Sequence, residues 1–91
     1  MKDAKKILIV EDEAIVAETL KLNLEFFNFS MCKPVATGME ALQFFEKEAP
    51  DLVLMDIRLA GPMNGLDVAK KIRETSDVPI IFITGYYQAN I

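Results

Sequence analysis

The sequence contains no histidine, and among its 91 residues that absence excludes more than any other. Without histidine there is no Ser-His-Asp or Cys-His nucleophile pair, no His-ligated zinc and no phosphohistidine carrier. A single cysteine, Cys32, allows no internal disulfide and suits a reducing compartment. Positive charge is the minority: ten Lys and Arg stand against fourteen Asp and Glu, giving a net charge of −4 and a pI near 4.7. Such a balance disfavours a nucleic-acid or anionic-membrane surface. Long apolar runs are lacking too, all far short of the roughly 20 residues that a membrane span needs. The start does not read as a signal peptide, because Met1-Lys2-Asp3-Ala4-Lys5-Lys6 leads only into the short run Ile7 to Val10. What is present is a 52% hydrophobic fraction, too high for a disordered chain, in a length that fits one domain. Any chemistry falls to carboxylates and hydroxyls.

The apolar pattern alternates between strand and helix. Ile7-Leu8-Ile9-Val10 is a continuous apolar run, the form of a strand covered on both faces. Over residues 13–28, Val16, Leu20, Leu24 and Phe27 recur at helical spacing and predict one core-facing stripe. A second strand is expected within Met31 to Ala36, with Pro34 marking a sheet edge. Thr37-Gly38-Met39-Glu40 has the capping-box pattern and opens a helix with Ala41, Leu42 and Phe45 on one side, ending before Pro50. Leu52-Val53-Leu54-Met55 predicts a third strand stopped by Asp56. The turn formers of Gly61-Pro62-Met63-Asn64-Gly65 precede a third helix with Leu66, Ala69 and Ile72 inward. Val78 to Thr84 reads as the fourth strand. Cys32 is expected near the surface of the second strand, and Phe26, Phe27, Phe29, Phe44 and Phe45 as core and rim.

This order implies an α/β fold: an open parallel sheet, β-α-β-α-β-α-β, joined by right-handed crossovers. Open sheets of this kind place their sites beyond the carboxyl ends of the strands. There the sequence offers Glu11-Asp12-Glu13 after the first strand, Asp56 after the third, and Thr84-Gly85 after the fourth. If the first and third strands are neighbours, Glu11, Asp12 and Asp56 converge with no cation among them. Their mutual repulsion is relieved by a divalent ion, and oxygen-only ligands favour Mg2+ over zinc or copper. A metal beside a carboxylate points to phosphoryl chemistry, with Asp56 as nucleophile and Thr84 as a hydroxyl donor. Glu13 reads as an acidic first turn favoured by the helix dipole.

The segments Ile7-Leu8-Ile9-Val10-Glu11-Asp12-Glu13, Pro50-Asp51-Leu52-Val53-Leu54-Met55-Asp56-Ile57-Arg58-Leu59, Gly65 and Pro79-Ile80-Ile81-Phe82-Ile83-Thr84-Gly85 resemble the receiver domain of two-component response regulators. The resemblance covers essentially the whole chain and implies a flavodoxin-like fold with strand order 2-1-3-4-5. It implies a cytoplasmic signalling phosphoacceptor, not an enzyme acting on a separate substrate. Asp56 would take a phosphoryl group from a sensor histidine kinase or phosphotransfer domain. Asp12 would bind Mg2+ directly and Glu11 through water, with Asp56 and the Arg58 carbonyl as further metal ligands. The Arg58 and Gly85 amides would hold the phosphate, and Thr84 would be the switch hydroxyl.

The match departs from the family at its end. The family's fifth strand, the lysine that closes it and the fifth helix have no counterpart after Thr84, and the last lysine is Lys71. The expectation is thus a single receiver domain over residues 1–91, lacking its C-terminal portion: a truncated chain, a record of ordered residues only, or a piece completed by another chain. An exposed fourth strand would offer a route to a homodimer. Beyond Asp56, the loop through Gly61-Pro62-Met63-Asn64-Gly65 lacks the common Met-Pro pattern. A receiver-like interaction or dimerisation module that is never phosphorylated is the alternative function, and a small metal-dependent phosphatase is a third reading. Direct nucleic-acid or membrane binding is not expected.

Overall fold

The computed structural model describes residues 5–29 and 32–83. Four strands and three helices follow in the expected alternation: β1 (Ile7–Val10), α1 (Ala14–Phe26), β2 (Cys32–Val35), α2 (Gly38–Glu48), β3 (Leu52–Asp56), α3 (Gly65–Arg73) and β4 (Ile80–Ile83). The strands are parallel and lie in the order β2-β1-β3-β4, so β1 and β3 are neighbours. Their register sets Val10 opposite Met55, which brings Glu11 and Asp56 side by side where the strands end. Among the described residues no helix is long and apolar enough to cross a membrane.

The central strand explains why its sequence is apolar at every position. Side chains alternate across a strand, and β1 is covered on both faces. Leu8 and Val10 enter a core with Ala41, Val53, Met55, Val68 and Ile72 beneath α2 and α3. Ile7 and Ile9 enter a second core with Cys32 and Leu54, against which Leu20 and Leu24 of α1 pack. Each such aliphatic burial contributes about 1.5–3 kcal/mol.

Pro34 does stand on an edge strand. The Val35 carbonyl accepts the Glu11 N–H at 3.0 Å, so Val35 turns its polar groups toward β1 and Pro34 faces outward. The missing N–H of proline therefore falls where the sheet ends, blunting that edge.

Several expectations are corrected. Cys32 is buried in the second core, not near the surface, because its side chain points under α1. Burial pushes its thiol pKa up, and the nearby Glu25 charge adds to the effect. Of the predicted α1 stripe, Val16, Leu20 and Leu24 are half-buried, whereas Phe27 lies past the helix end and is exposed. Phe26 and Phe29 are exposed as well, with Phe26 edge-on to Phe27, while Phe44 and Phe45 pack against the first core. On α3 the inward residues are Val68, Ala69 and Ile72. Leu66 lies on the side of Ala69, lining an open groove with Ile80 and Phe82, and is exposed.

The caps also differ in detail. Thr37 caps α2 as expected, its Oγ1 accepting the Glu40 N–H at 3.1 Å, but Glu40 reaches back one residue further and accepts the N–H of Ala36. A full capping box occurs instead on α3, where Asn64 and Asp67 exchange bonds reciprocally.

Candidate functional site

Glu11, Asp12 and Asp56 each offer a carboxylate oxygen, and these atoms all lie within 4.8 Å of one another. The sheet produces this meeting. Each carboxylate follows an apolar run that must be buried, and the two runs are hydrogen-bonded neighbours. Glu11 and Asp56 are 3% and 4% exposed, while Asp12 faces the solvent. They line a cleft of about 380 Å³ together with Glu13, Arg58, Leu59 and Ala60.

Each carboxylate is fixed by a backbone amide. Glu11 Oε2 accepts the Glu13 N–H at 3.0 Å, Asp56 Oδ1 accepts the Arg58 N–H at 3.1 Å, and Asp12 Oδ2 accepts the Ala60 N–H at 3.1 Å. Such bonds to an ionised acceptor are the stronger kind. They leave one oxygen of each carboxylate uncommitted to the backbone among the described residues. For Glu11 that oxygen, Oε1, is buried with no hydrogen-bond partner among the described residues.

Electrostatics follow from that crowding. The Glu11 carboxyl is pushed from 4.5 up to about 7. Burial is the largest cause, the Glu13 amide opposes it, and the neighbouring Asp56 and Asp12 charges push it further up. A buried carboxylate oxygen beside two more carboxylates could hold a hard divalent cation. The donors are all oxygen, and an ion such as Mg2+ takes one or two carboxylates and keeps several waters.

One residue without a role assigned from its motif packs directly beneath the site. Gly65 opens α3 directly against the end of β3, its N–H donating to the Ile57 carbonyl at 2.8 Å. A Cβ there would collide with the Asp56 carbonyl oxygen and come within 2.8 Å of Ile57 Cα. Close backbone approach, not a turn with positive φ, demands this glycine. The Ala60 amide was likewise invisible to motif reading, because a backbone donor leaves no mark on residue type.

The structure thus brings together Glu11, Asp12, Asp56 and the Arg58 backbone, all within the residues lining one cleft. Arg58 turns its N–H toward Asp56 itself. Glu13 stands at the N-cap of α1 without a side-chain cap bond, at the rim of the same cleft. Thr84 and Gly85, expected as switch hydroxyl and phosphate-binding amide, lie outside the described residues.

Known proteins resemble this chain over most of its length. The family model described as the response regulator receiver domain matches residues 7–91. The probable transcriptional regulator ycf27 of Guillardia theta is 37% identical over 92% of this chain and 32% of its own length. The DNA-binding response regulator MtrA of Mycobacterium tuberculosis is 40% identical over 88% of this chain and 34% of its own length. The chain therefore spans about a third of the length of these curated relatives. Among solved structures, the response regulator PhyR from Brucella abortus aligns with a TM-score of 0.84 and 34% identity, over 93% of this chain and 35% of that one.

Proposed function

This chain belongs to the response regulator receiver domain family, and from that premise we propose that residues 1–91 act as one receiver domain whose Asp56 accepts a phosphoryl group. Receiver domains are signalling domains, not classical enzymes. The donor is a phosphohistidine on a sensor histidine kinase or phosphotransfer domain, and the reaction takes place in the cytoplasm.

Glu11, Asp12, Asp56 and the Arg58 carbonyl are the groups that would hold Mg2+. When bound, the ion supplies the positive charge that lets an anionic phosphoryl group approach a carboxylate cluster. An Asp56 oxygen then attacks phosphorus. The new P–O bond forms as the P–N bond breaks, and the imidazole nitrogen leaves with the electron pair, giving an aspartyl phosphate on this chain. The Arg58 amide, already bonded to Asp56, turns to a phosphoryl oxygen, and the Gly85 amide and Thr84 hydroxyl serve the others. Hydrolysis assisted by the same site returns Asp56 to the carboxylate.

The output is a changed surface around β4, read by a partner or by a second copy of the chain. The acidic balance of charge argues against nucleic acid touching this domain itself.

One observation carries the reading: Asp56 is buried at the junction of β1 and β3 with Glu11 and Asp12 in ligand range. Intact mass after incubation with Mg2+ and acetyl phosphate tests it. The chain should gain one phosphoryl group, Asp56→Asn should gain none, and Asp12→Ala should bind Mg2+ more weakly. Labelling that survives Asp56→Asn unchanged would refute the assignment.

A further inference from the structure

We propose that the backbone amide of Ala60 is the positioning group for Asp12, held there by a strap that joins the loops after β2 and β3 across the end of β1. The inference rests on the metal role given to Asp12 above.

β2 and β3 flank β1 and do not pair with each other. Beyond the strand ends, Thr37 and Ala60 nevertheless form an isolated parallel bridge. The two loops therefore meet over the end of β1, at the point where Asp12 emerges. There the Ala60 N–H donates to Asp12 Oδ2 at 3.1 Å. Both ends of the strap are fixed. Thr37 caps α2, its hydroxyl accepting the Glu40 N–H. On the other side Gly61 takes φ 95°, which lets the chain turn away immediately after Ala60.

The three carboxylates of the site differ in how they are held. Glu11 and Asp56 each accept an amide two residues further along their own chain segment. Such local turns form wherever those segments fold. Asp12 alone depends on an amide 48 residues away. It is also the solvent-facing member, so without that bond its side chain would spread over several rotamers. With Oδ2 fixed, the other oxygen is presented in one direction. The order in the site's outermost ligand is thus a property of the β2–α2 and β3–α3 loops, not of β1.

Calorimetric titration of the 91-residue chain with Mg2+ alone tests this. Ala60→Pro deletes the donor and Ala60→Gly keeps it. Ala60→Pro should weaken Mg2+ affinity about five- to tenfold, with Ala60→Gly within about twofold of the parent. Unchanged affinity in Ala60→Pro overturns the proposal. Equal weakening in both variants overturns it too, because loop shape would then matter and the N–H would not. A parent chain that binds no Mg2+ fails the metal reading itself and takes this inference with it, an outcome visible before any variant is made. Should Ala60→Pro not fold, amide hydrogen exchange at Ala60 decides. Protection in the parent that is lost in Asp12→Ala supports the strap; protection that survives in Asp12→Ala overturns it.

Discussion

Glu11 should make this chain less stable at neutral pH than in mild acid when no cation is present. Its carboxyl is raised to about 7 in the folded state, first by burial and then by Asp56 and Asp12. The unfolded value is near 4.5, so folding favours the protonated form. For a group raised on folding, the stability is fully present below the unfolded pKa and is lost as pH rises through the folded one. The window therefore runs from about pH 4.5 to about pH 7. The interval between those values, at about 1.36 kcal/mol per unit, sets a ceiling of about 3 kcal/mol. Relaxation and entering water reduce that, so about 1–3 kcal/mol is expected, with a slope never above about 1.4 kcal/mol per pH unit.

Urea melts in chelator at steps between pH 5 and 8 measure this directly. Glu11→Gln keeps an acceptor for the Glu13 N–H and removes the charge, so it should flatten this part of the profile and stabilise the chain at pH 8 by about 1–3 kcal/mol. Near pH 5 the two chains should converge. In a domain of this size about 1 kcal/mol moves the melting temperature by about 4–8 °C, so heating resolves the same effect. Mg2+ should raise the stability of the parent at pH 8 and do less for the variant, since the variant has less repulsion to relieve. Parallel profiles for parent and Glu11→Gln between pH 5 and 8 would refute the reasoning, for the strain would then lie elsewhere.

Gly65→Ala should cost more than about 3 kcal/mol or prevent folding, because its Cβ meets backbone atoms of Asp56 and Ile57 that cannot move without displacing β3; a thermal melt within a few degrees of the parent, roughly 1 kcal/mol or less, would contradict the geometry. At the C-terminus of α2, Ala49 caps the helix at φ 46° in an exposed position. Ala49→Gly should therefore stabilise by about 1 kcal/mol, read as a higher urea midpoint with unchanged slope.

Residue type and period carried most of the fold. Ile7 to Val10 and Leu52 to Met55 have the form of doubly covered strands, and Pro34 marked the edge that β2 occupies. What failed was depth of burial and facing. Leu66 is expected inward from its place in an apolar series, and it does stand on the side of Ala69 toward β4, but it lines an open groove with Ile80 and Phe82 and stays exposed. Cys32 is expected near the surface of an edge strand, yet an edge strand still buries one face, and Cys32 lies on it. The capping box of α3 was readable, Asn64 preceding Asp67 by three, but the turn formers around it drew the reading toward a loop.

The site divides in the same way. Its charged side chains were legible because a carboxylate that ends an apolar run stands out against the run itself. Its backbone donors were not, since every residue except proline carries an N–H and only tertiary direction makes one of them matter. Glu13 and Arg58 donate from two residues beyond the acids they hold, a spacing that a local turn supplies. Ala60 donates to Asp12 only because the loops after two strands that do not pair with each other close over the strand between them. The most accessible carboxylate of the cluster is therefore the one whose geometry depends on the whole sheet being assembled, so its binding competence should appear only with the folded domain.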